Sequence, residues 1–225
     1  MADHCGLSTG GCLDQWSEIR AWQSAGIGFA GSWEQSEIAV VLEVLDHFAA
    51  TFSEARFLEL VRQARPVVPL AEAGFITIAR TSDPDLPPAA WARNSGRVLI
   101  NDSLFDAAYL HKHYAWTTRW HTDGAEPRRL SAQVISVAHE IGHVVADAIL
   151  NAQAASPSAP TITASTIIQD LDRSLWLHPD EDAEETIATE LGLWALGAPR
   201  PSQILHFRHA QLAPMVFATT EPLPH

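Results

Sequence analysis

Three residues near the middle of the chain carry the clearest chemical signal. His139, Glu140 and His143 form the pattern His-Glu-x-x-His inside a segment whose apolar residues recur at helical spacing. Residues four apart in a helix share one face, with Cβ atoms about 6 Å apart, so both imidazoles can reach one metal ion. Glu140 projects beside the pair, where a general base acting on metal-bound water must lie. The pattern therefore predicts a hydrolytic zinc site.

Chance explains this pattern poorly. With 11 His and 14 Glu among 225 residues, random order would give roughly 0.03 matches per chain, before any helical context is required. A buried helix that carries two structural histidines is the alternative interpretation. Apolar residues from Leu130 to Ala148 and a proline turn ending at Pro127 predict a long, largely buried helix in either case.

The third zinc ligand is not fixed by this helix. A metzincin would need Gly and His at positions that here hold Ala146 and Ile149, so that class is excluded. Asp147 lies one turn of about 5.4 Å beyond His143 on a straight helix, which is too far to share the ion. Asp147 is therefore interpreted either as a partner of a ligand or as a solvated acid.

Two adjacent acids open a later helix and are the candidates for the third ligand. That helix begins at Pro179 and ends before Gly197, with acids in its first turn. At 100° per residue, Glu184 falls near the middle of the apolar stripe and Glu185 at its margin. A buried carboxylate needs a cation or hydrogen-bond donors. Periodicity slightly favours Glu184 and leaves both residues open.

The pattern resembles that of the gluzincin metallopeptidases. His-Glu-x-x-His is followed about forty residues later by Glu-x-x-Ala, at Glu185 to Ala188, with Glu184 as a preceding acid. This looks like the catalytic domain of anthrax lethal factor and the related Pro-Pro endopeptidases, over residues 75–196. The resemblance implies a zincin-like fold and an endopeptidase with one Zn²⁺ per chain. It also implies that His139, His143 and Glu185 are the ligands.

The resemblance also suggests which residue stabilises the oxyanion that forms during hydrolysis. Those relatives carry a Tyr seven residues before the third ligand, and this chain has His178 there. An imidazolium would serve the same electrostatic purpose, as the His of other gluzincins does. The alternative is a loop histidine beside Pro179 that caps the preceding helix.

The remaining elements form the scaffold that must position these residues. A helix is predicted after Ser32, capped by Ser32 and Gln35, and a second helix runs from a Ser53 cap to Pro66. Two β-branched runs, at 75–79 and 97–101, predict strands, and we expect 97–101 to be the sheet edge beside the substrate cleft. The predicted fold class is α+β, zincin-like and mostly helical, with a small mixed sheet.

One domain, at residues 32–198, is expected to hold the site. Residues 1–31 are interpreted as a tail or irregular segment and residues 199–225 as a C-terminal tail. Between the strands and the long helix, residues 111–121 are rich in aromatics and histidine. They are interpreted as a surface loop, as a wall of the substrate cleft or as a second metal site.

Composition excludes several classes of protein. With a net charge of −13 and scattered basic residues, the chain offers no basic surface for binding nucleic acid. No apolar run approaches the roughly 20 residues that cross a bilayer, and no Sec-type signal is visible. Cys5 and Cys12 cannot form a disulfide framework. We expect a monomer that acts on a protein or peptide, either in the cytoplasm or after export by a non-Sec route.

Two other functional classes stay open. One is a zinc-binding regulator or sensor on a zincin fold without general peptidase activity. The other is a metal-free helical interaction module in which His139 and His143 are core residues. Stoichiometric zinc in the purified protein would exclude the second class, and peptide cleavage would exclude the first.

Overall fold

The architecture is mostly helical, with a four-stranded sheet. It comes from a computed structural model, which describes residues 9–64, 75–106, 131–154, 162–172 and 182–218. The α-helices are Thr9–Ser24 (α1), Gln35–Phe52 (α2), Glu54–Gln63 (α3), Ala132–Ala154 (α4), Ala164–Ile167 (α5), Ala183–Ala195 (α6), Ser202–Phe207 (α7) and Ala213–Val216 (α8). The strands are Ile27–Ala30 (β1), Ile76–Thr81 (β2), Ala89–Ala92 (β3) and Arg97–Asn101 (β4). The prediction of an α+β chain, mostly helical with a small mixed sheet, is confirmed.

The sheet has the strand order β1-β2-β4-β3, with β3 antiparallel to β4 and the other neighbours parallel. The prediction that 97–101 forms the sheet edge is wrong, because β3 pairs with the outer side of this strand. Trp91 of β3 lies opposite Val98 of β4. The sequence of β3, Ala-Ala-Trp-Ala, lacks the β-branched residues that mark a strand, so its pairing was not visible in the sequence.

Helices α2 and α3 follow the predicted apolar pattern, and their caps differ in part from the prediction. The capping box predicted at Ser32 and Gln35 is wrong, because α2 begins at Gln35. The backbone N–H of Glu34 instead donates to the carboxylate of Glu37 at 3.1 Å. The predicted Ser53 cap is confirmed by the Arg56 N–H, which donates to Ser53 Oγ at 3.4 Å. The predicted core residues of both helices are buried: Ile38, Val41, Leu42, Leu45, Phe48, Phe57, Leu60, Val61 and Ala64.

Both predicted tails contain ordered elements that pack on the core. Residues 9–30 form α1 and β1, and Trp22 of α1 packs edge-on against Phe57 with ring centroids 6.1 Å apart. Residues 202–216 form α7, a π-helical turn at Arg208–Leu212 and α8, and Phe207 is buried. Regular secondary structure is therefore present in both stretches that were predicted to flank the domain. Cys5 lies outside the described residues, as does the side chain of Cys12.

Helices α4 and α6 cross at short distance. Gly142 of α4 faces the carbonyl of Ala188, and Gly192 of α6 faces the carbonyl of Ala138. A Cβ at Gly142 would lie 2.1 Å from the Ala188 oxygen, and one at Gly192 would lie 2.6 Å from the Ala138 oxygen. Only glycine permits this approach at either position. Although α4 has 23 residues, no described helix is both long and apolar enough to cross a membrane.

Candidate metal centre

Helix α4 brings the two histidines of the His-Glu-x-x-His pattern together. The helix begins at Ala132, and Ser131 caps it by accepting the Val134 N–H at 3.1 Å. Because His139 and His143 are one turn apart, their Nε2 atoms lie 3.1 Å from each other. The ring planes are almost perpendicular, at 87°, and the ring centroids are 4.7 Å apart, so the two imidazoles are closest at their Nε2 atoms.

Helix α6 supplies a carboxylate to the same point. Asp182 caps this helix by accepting the Glu185 N–H at 3.0 Å, and the first turn then presents the Glu185 side chain to the histidines. Glu185 Oε2 lies 3.1 Å from His139 Nε2, and Oε1 lies 3.3 Å from His143 Nε2. Glu184, which periodicity slightly favoured, instead accepts a hydrogen bond from Arg93.

The donor atoms of His139, His143 and Glu185 could hold a metal ion. Two imidazole nitrogens and a carboxylate oxygen are a zinc ligand set, and tetrahedral bonds of 2.0–2.1 Å place neighbouring donors about 3.3 Å apart. The observed separations of 3.1, 3.1 and 3.3 Å are close to that value. Among the described residues, these three form the group of His, Cys, Asp and Glu side chains that could hold a metal ion.

His139 has an outer partner on α6. Its Nδ1 lies 3.0 Å from Oγ1 of Thr189, a buried residue one turn after Glu185. When Nε2 is free to bind a metal, Nδ1 carries the proton and donates it to the hydroxyl. Such a bond fixes the ring orientation and the tautomer of a ligating histidine. Helix α6 thus supplies both a candidate ligand and the residue that orients another.

Glu140 lies beside the three donors and is not one of the group. It is 8% exposed, and the backbone N–H of Trp91 in β3 faces its carboxylate and favours the charged form. Burial raises the pKa of Glu140 above its ordinary value, while His139 and His143 oppose that change. The hydrogen bonds of Glu185 with the same histidines hold the pKa of Glu185 below its ordinary value. The two carboxylates are therefore electrostatically distinct: Glu185 is held as an anion, and Glu140 is the more basic of the two.

Asp147 belongs to a network that the sequence did not reveal. It is only 5% exposed, so the solvated-acid interpretation is wrong. Asp147 Oδ2 accepts from Trp91 Nε1 and from Arg93 Nε, each at 2.7 Å, and Oδ1 accepts from Arg93 Nη2 at 2.5 Å. Arg93 Nη2 also donates to Glu184 Oε2 at 2.8 Å. The partners of Asp147 are thus on and beside the edge strand. The sequence carried no signal for Arg93.

Two predicted features fall outside the described residues. His178, the candidate for the oxyanion, is one of them. The histidine-rich and aromatic segment at 111–121 is the other. The structure therefore leaves both interpretations of His178, and all three interpretations of residues 111–121, as they were drawn from the sequence.

Comparison with known proteins identifies no relative of this chain. No protein family, no curated protein and no solved structure matches the chain.

Proposed function

We propose that this chain is a zinc-dependent endopeptidase with a gluzincin-type site on a zincin-like fold. One observation carries the proposal. The donor atoms of His139, His143 and Glu185 converge at 3.1–3.3 Å from two different helices, with the buried Glu140 carboxylate next to them. A structural histidine pair in a core would not need a second helix to bring in a carboxylate and a separate, unligated acid.

The chemistry divides between the metal and Glu140. Zn²⁺ bound by the three side chains would lower the pKa of water toward about 7 and polarise the carbonyl of the scissile bond. Glu140 takes the proton from the attacking water and delivers it to the leaving nitrogen. Its desolvated position suits a base because burial makes the carboxylate more basic than an exposed one. His178, by resemblance, stabilises the oxyanion.

Strand β3 supports a peptide as the substrate. Among the described strands it is the sheet edge, and the backbone N–H of Trp91 points away from β4, because Pro88, which has the opposite orientation in the alternation, accepts from Asn101 of β4. Backbone groups of alternate residues point the same way in a strand, so the backbone of Ala89 also faces away from β4. An extended peptide can add to such an edge through main-chain hydrogen bonds. A peptide added to this edge would lie beside Glu140.

Zinc content per chain, measured by mass spectrometry, tests the metal centre. We expect about one zinc in the wild type and in Glu184→Ala, and none in Glu185→Ala, when all three are prepared with zinc in excess. Glu184→Ala tests the alternative ligand on the same turn, because a site that has only lost an outer contact still fills when zinc is in excess. A wild type without zinc after reconstitution would overturn the proposal and favour a metal-free module.

Peptide cleavage tests the activity. A diverse peptide library incubated with the zinc-loaded protein should be cleaved, and a chelator should stop cleavage until zinc is restored. Stoichiometric zinc together with no cleavage would reject the peptidase and favour the zinc-binding regulator.

A further inference from the structure

Arg93 joins three elements that build the proposed site. It follows β3, and its guanidinium bonds Asp147 on α4 and Glu184 on α6. Asp147 lies one turn after His143, and Glu184 directly precedes Glu185. One side chain is therefore bonded to the neighbours of two candidate ligands, which lie on separate helices.

The same contacts fix the edge strand over Glu140. The indole N–H of Trp91 donates to Asp147 at 2.7 Å, and the backbone N–H of the same residue faces the Glu140 carboxylate. Arg93 bonds both oxygens of the same carboxylate, at 2.7 Å to the Oδ2 that Trp91 also bonds and at 2.5 Å to Oδ1. Such charge-assisted, forked bonds define geometry as well as strength. The strand therefore cannot shift without disturbing Asp147.

The partners of Arg93 differ in burial. Asp147 has a side chain only 6% exposed, whereas Glu184 is 44% exposed and Arg93 is 52% exposed. An exposed ion pair contributes little to the stability of a fold. The buried Asp147 therefore anchors the guanidinium, and from this fixed point Arg93 reaches Glu184 at the first turn of α6.

We infer that Arg93 is a positioning residue, which sets the first turn of α6, and hence Glu185, relative to the two histidines and to the edge strand. This inference rests on the proposed metal centre. It goes beyond it by assigning a function to a residue that contacts neither the metal nor Glu140. Outer partners of metal sites change metal affinity by about 10–100-fold when lost. Because Arg93 bonds the side chain of Glu184 and not a candidate ligand, we expect the lower end, about tenfold.

The test uses the full chain and metal alone. Zn²⁺ affinity is measured by competition with a chromophoric chelator, and Co²⁺ is substituted to record the visible spectrum, which reports ligand geometry. In Arg93→Gln we expect zinc affinity to fall about tenfold and the cobalt spectrum to change. Arg93→Lys keeps the positive charge but cannot make the two parallel bonds of a guanidinium. Its zinc affinity should therefore lie between that of the wild type and that of Arg93→Gln.

Arg80→Gln is the matched control. Arg80 also joins two carboxylates, Glu37 and Asp102, each at 2.6 Å, and none of these residues adjoins a candidate ligand. Its loss should lower the melting temperature without changing zinc affinity. That result would show that a loss of stability alone does not weaken the metal site.

Three outcomes would overturn the role of Arg93. They are wild-type affinity and spectrum in Arg93→Gln, full recovery in Arg93→Lys, and equal losses of affinity in Arg93→Gln and Arg80→Gln. A wild type that binds zinc but cleaves no peptide would reject the peptidase and leave the role of Arg93 standing. A wild type that binds neither Zn²⁺ nor Co²⁺ would reject the proposed metal centre and the role of Arg93 together.

Discussion

Gly142 of α4 lies directly against the backbone carbonyl of Ala188 in α6, where an added Cβ would be only 2.1 Å from the oxygen. Gly142 sits between Glu140 and His143, and Ala188 is one turn from Glu185. The contact is therefore part of the proposed metal centre as well as of the core. It sets how closely the helix with the histidines approaches the helix with the carboxylate.

Gly142→Ala should separate the two helices. In an ordinary helix, replacing glycine by alanine raises stability by about 1 kcal/mol. A loss of stability in Gly142→Ala would therefore be due to the close contact with α6. We expect overpacking to cost about 3 kcal/mol, near the upper end for an inserted methyl group. Chemical denaturation measures this change, and zinc content should fall because Glu185 moves with α6.

Gly192→Ala provides the reciprocal test from α6. Its Cβ would lie 2.6 Å from the carbonyl of Ala138, so it should separate the same helices. Unchanged or increased stability in both variants would contradict the close crossing.

Thr189→Val should weaken zinc binding while leaving the fold intact. Valine has nearly the shape of threonine but cannot accept the proton of His139 Nδ1, which lies 3.0 Å from the Thr189 hydroxyl. Loss of an outer partner of this kind lowers metal affinity by about 10–100-fold. Chelator competition measures the affinity. Thr189→Ser keeps the hydroxyl and is the control, and equal affinity in both variants would show that the hydroxyl has no role.

Glu140→Gln should separate binding from catalysis. Glu140 is not among the three converging donors, so the variant should keep one zinc per chain. Peptide cleavage should fall by about 10²–10⁴-fold, the usual contribution of a general base. Glu43→Gln, an exposed substitution on α2, is the control. Cleavage at the wild-type rate in Glu140→Gln would remove Glu140 from the mechanism.

Zinc should stabilise the folded chain by mass action. An ion that binds only the folded state at 100 times its dissociation constant adds about 2.7 kcal/mol. For a chain of this size, that corresponds to a rise of about 5–10 °C in melting temperature. Calorimetry with and without zinc measures the rise. His143→Ala should show none, and an equal rise in that variant would mean that zinc binds elsewhere.

Part of the fold could be predicted because it depends on local pattern. The apolar faces of α2, α3 and α4 repeat at helical spacing, and the core residues predicted for α2 and α3 are buried. Strands β2 and β4 were visible as β-branched runs. Strand β3 and helix α1 were not, because an alanine-rich strand and a weakly patterned helix form only through their neighbours.

The candidate site divides in the same way. His139, Glu140 and His143 belong together by sequence alone, since residues one turn apart share a helix face in any fold. The choice between Glu184 and Glu185 depended on how α6 packs on α4, which is set by Gly142 and Gly192 at the crossing. The burial of Asp147 and its bonds to Trp91 and Arg93 required the edge strand to be in place. Sequence thus determined the histidine pair and its neighbouring acid, whereas contacts between distant segments, which local spacing cannot encode, decided the carboxylate that completes the group.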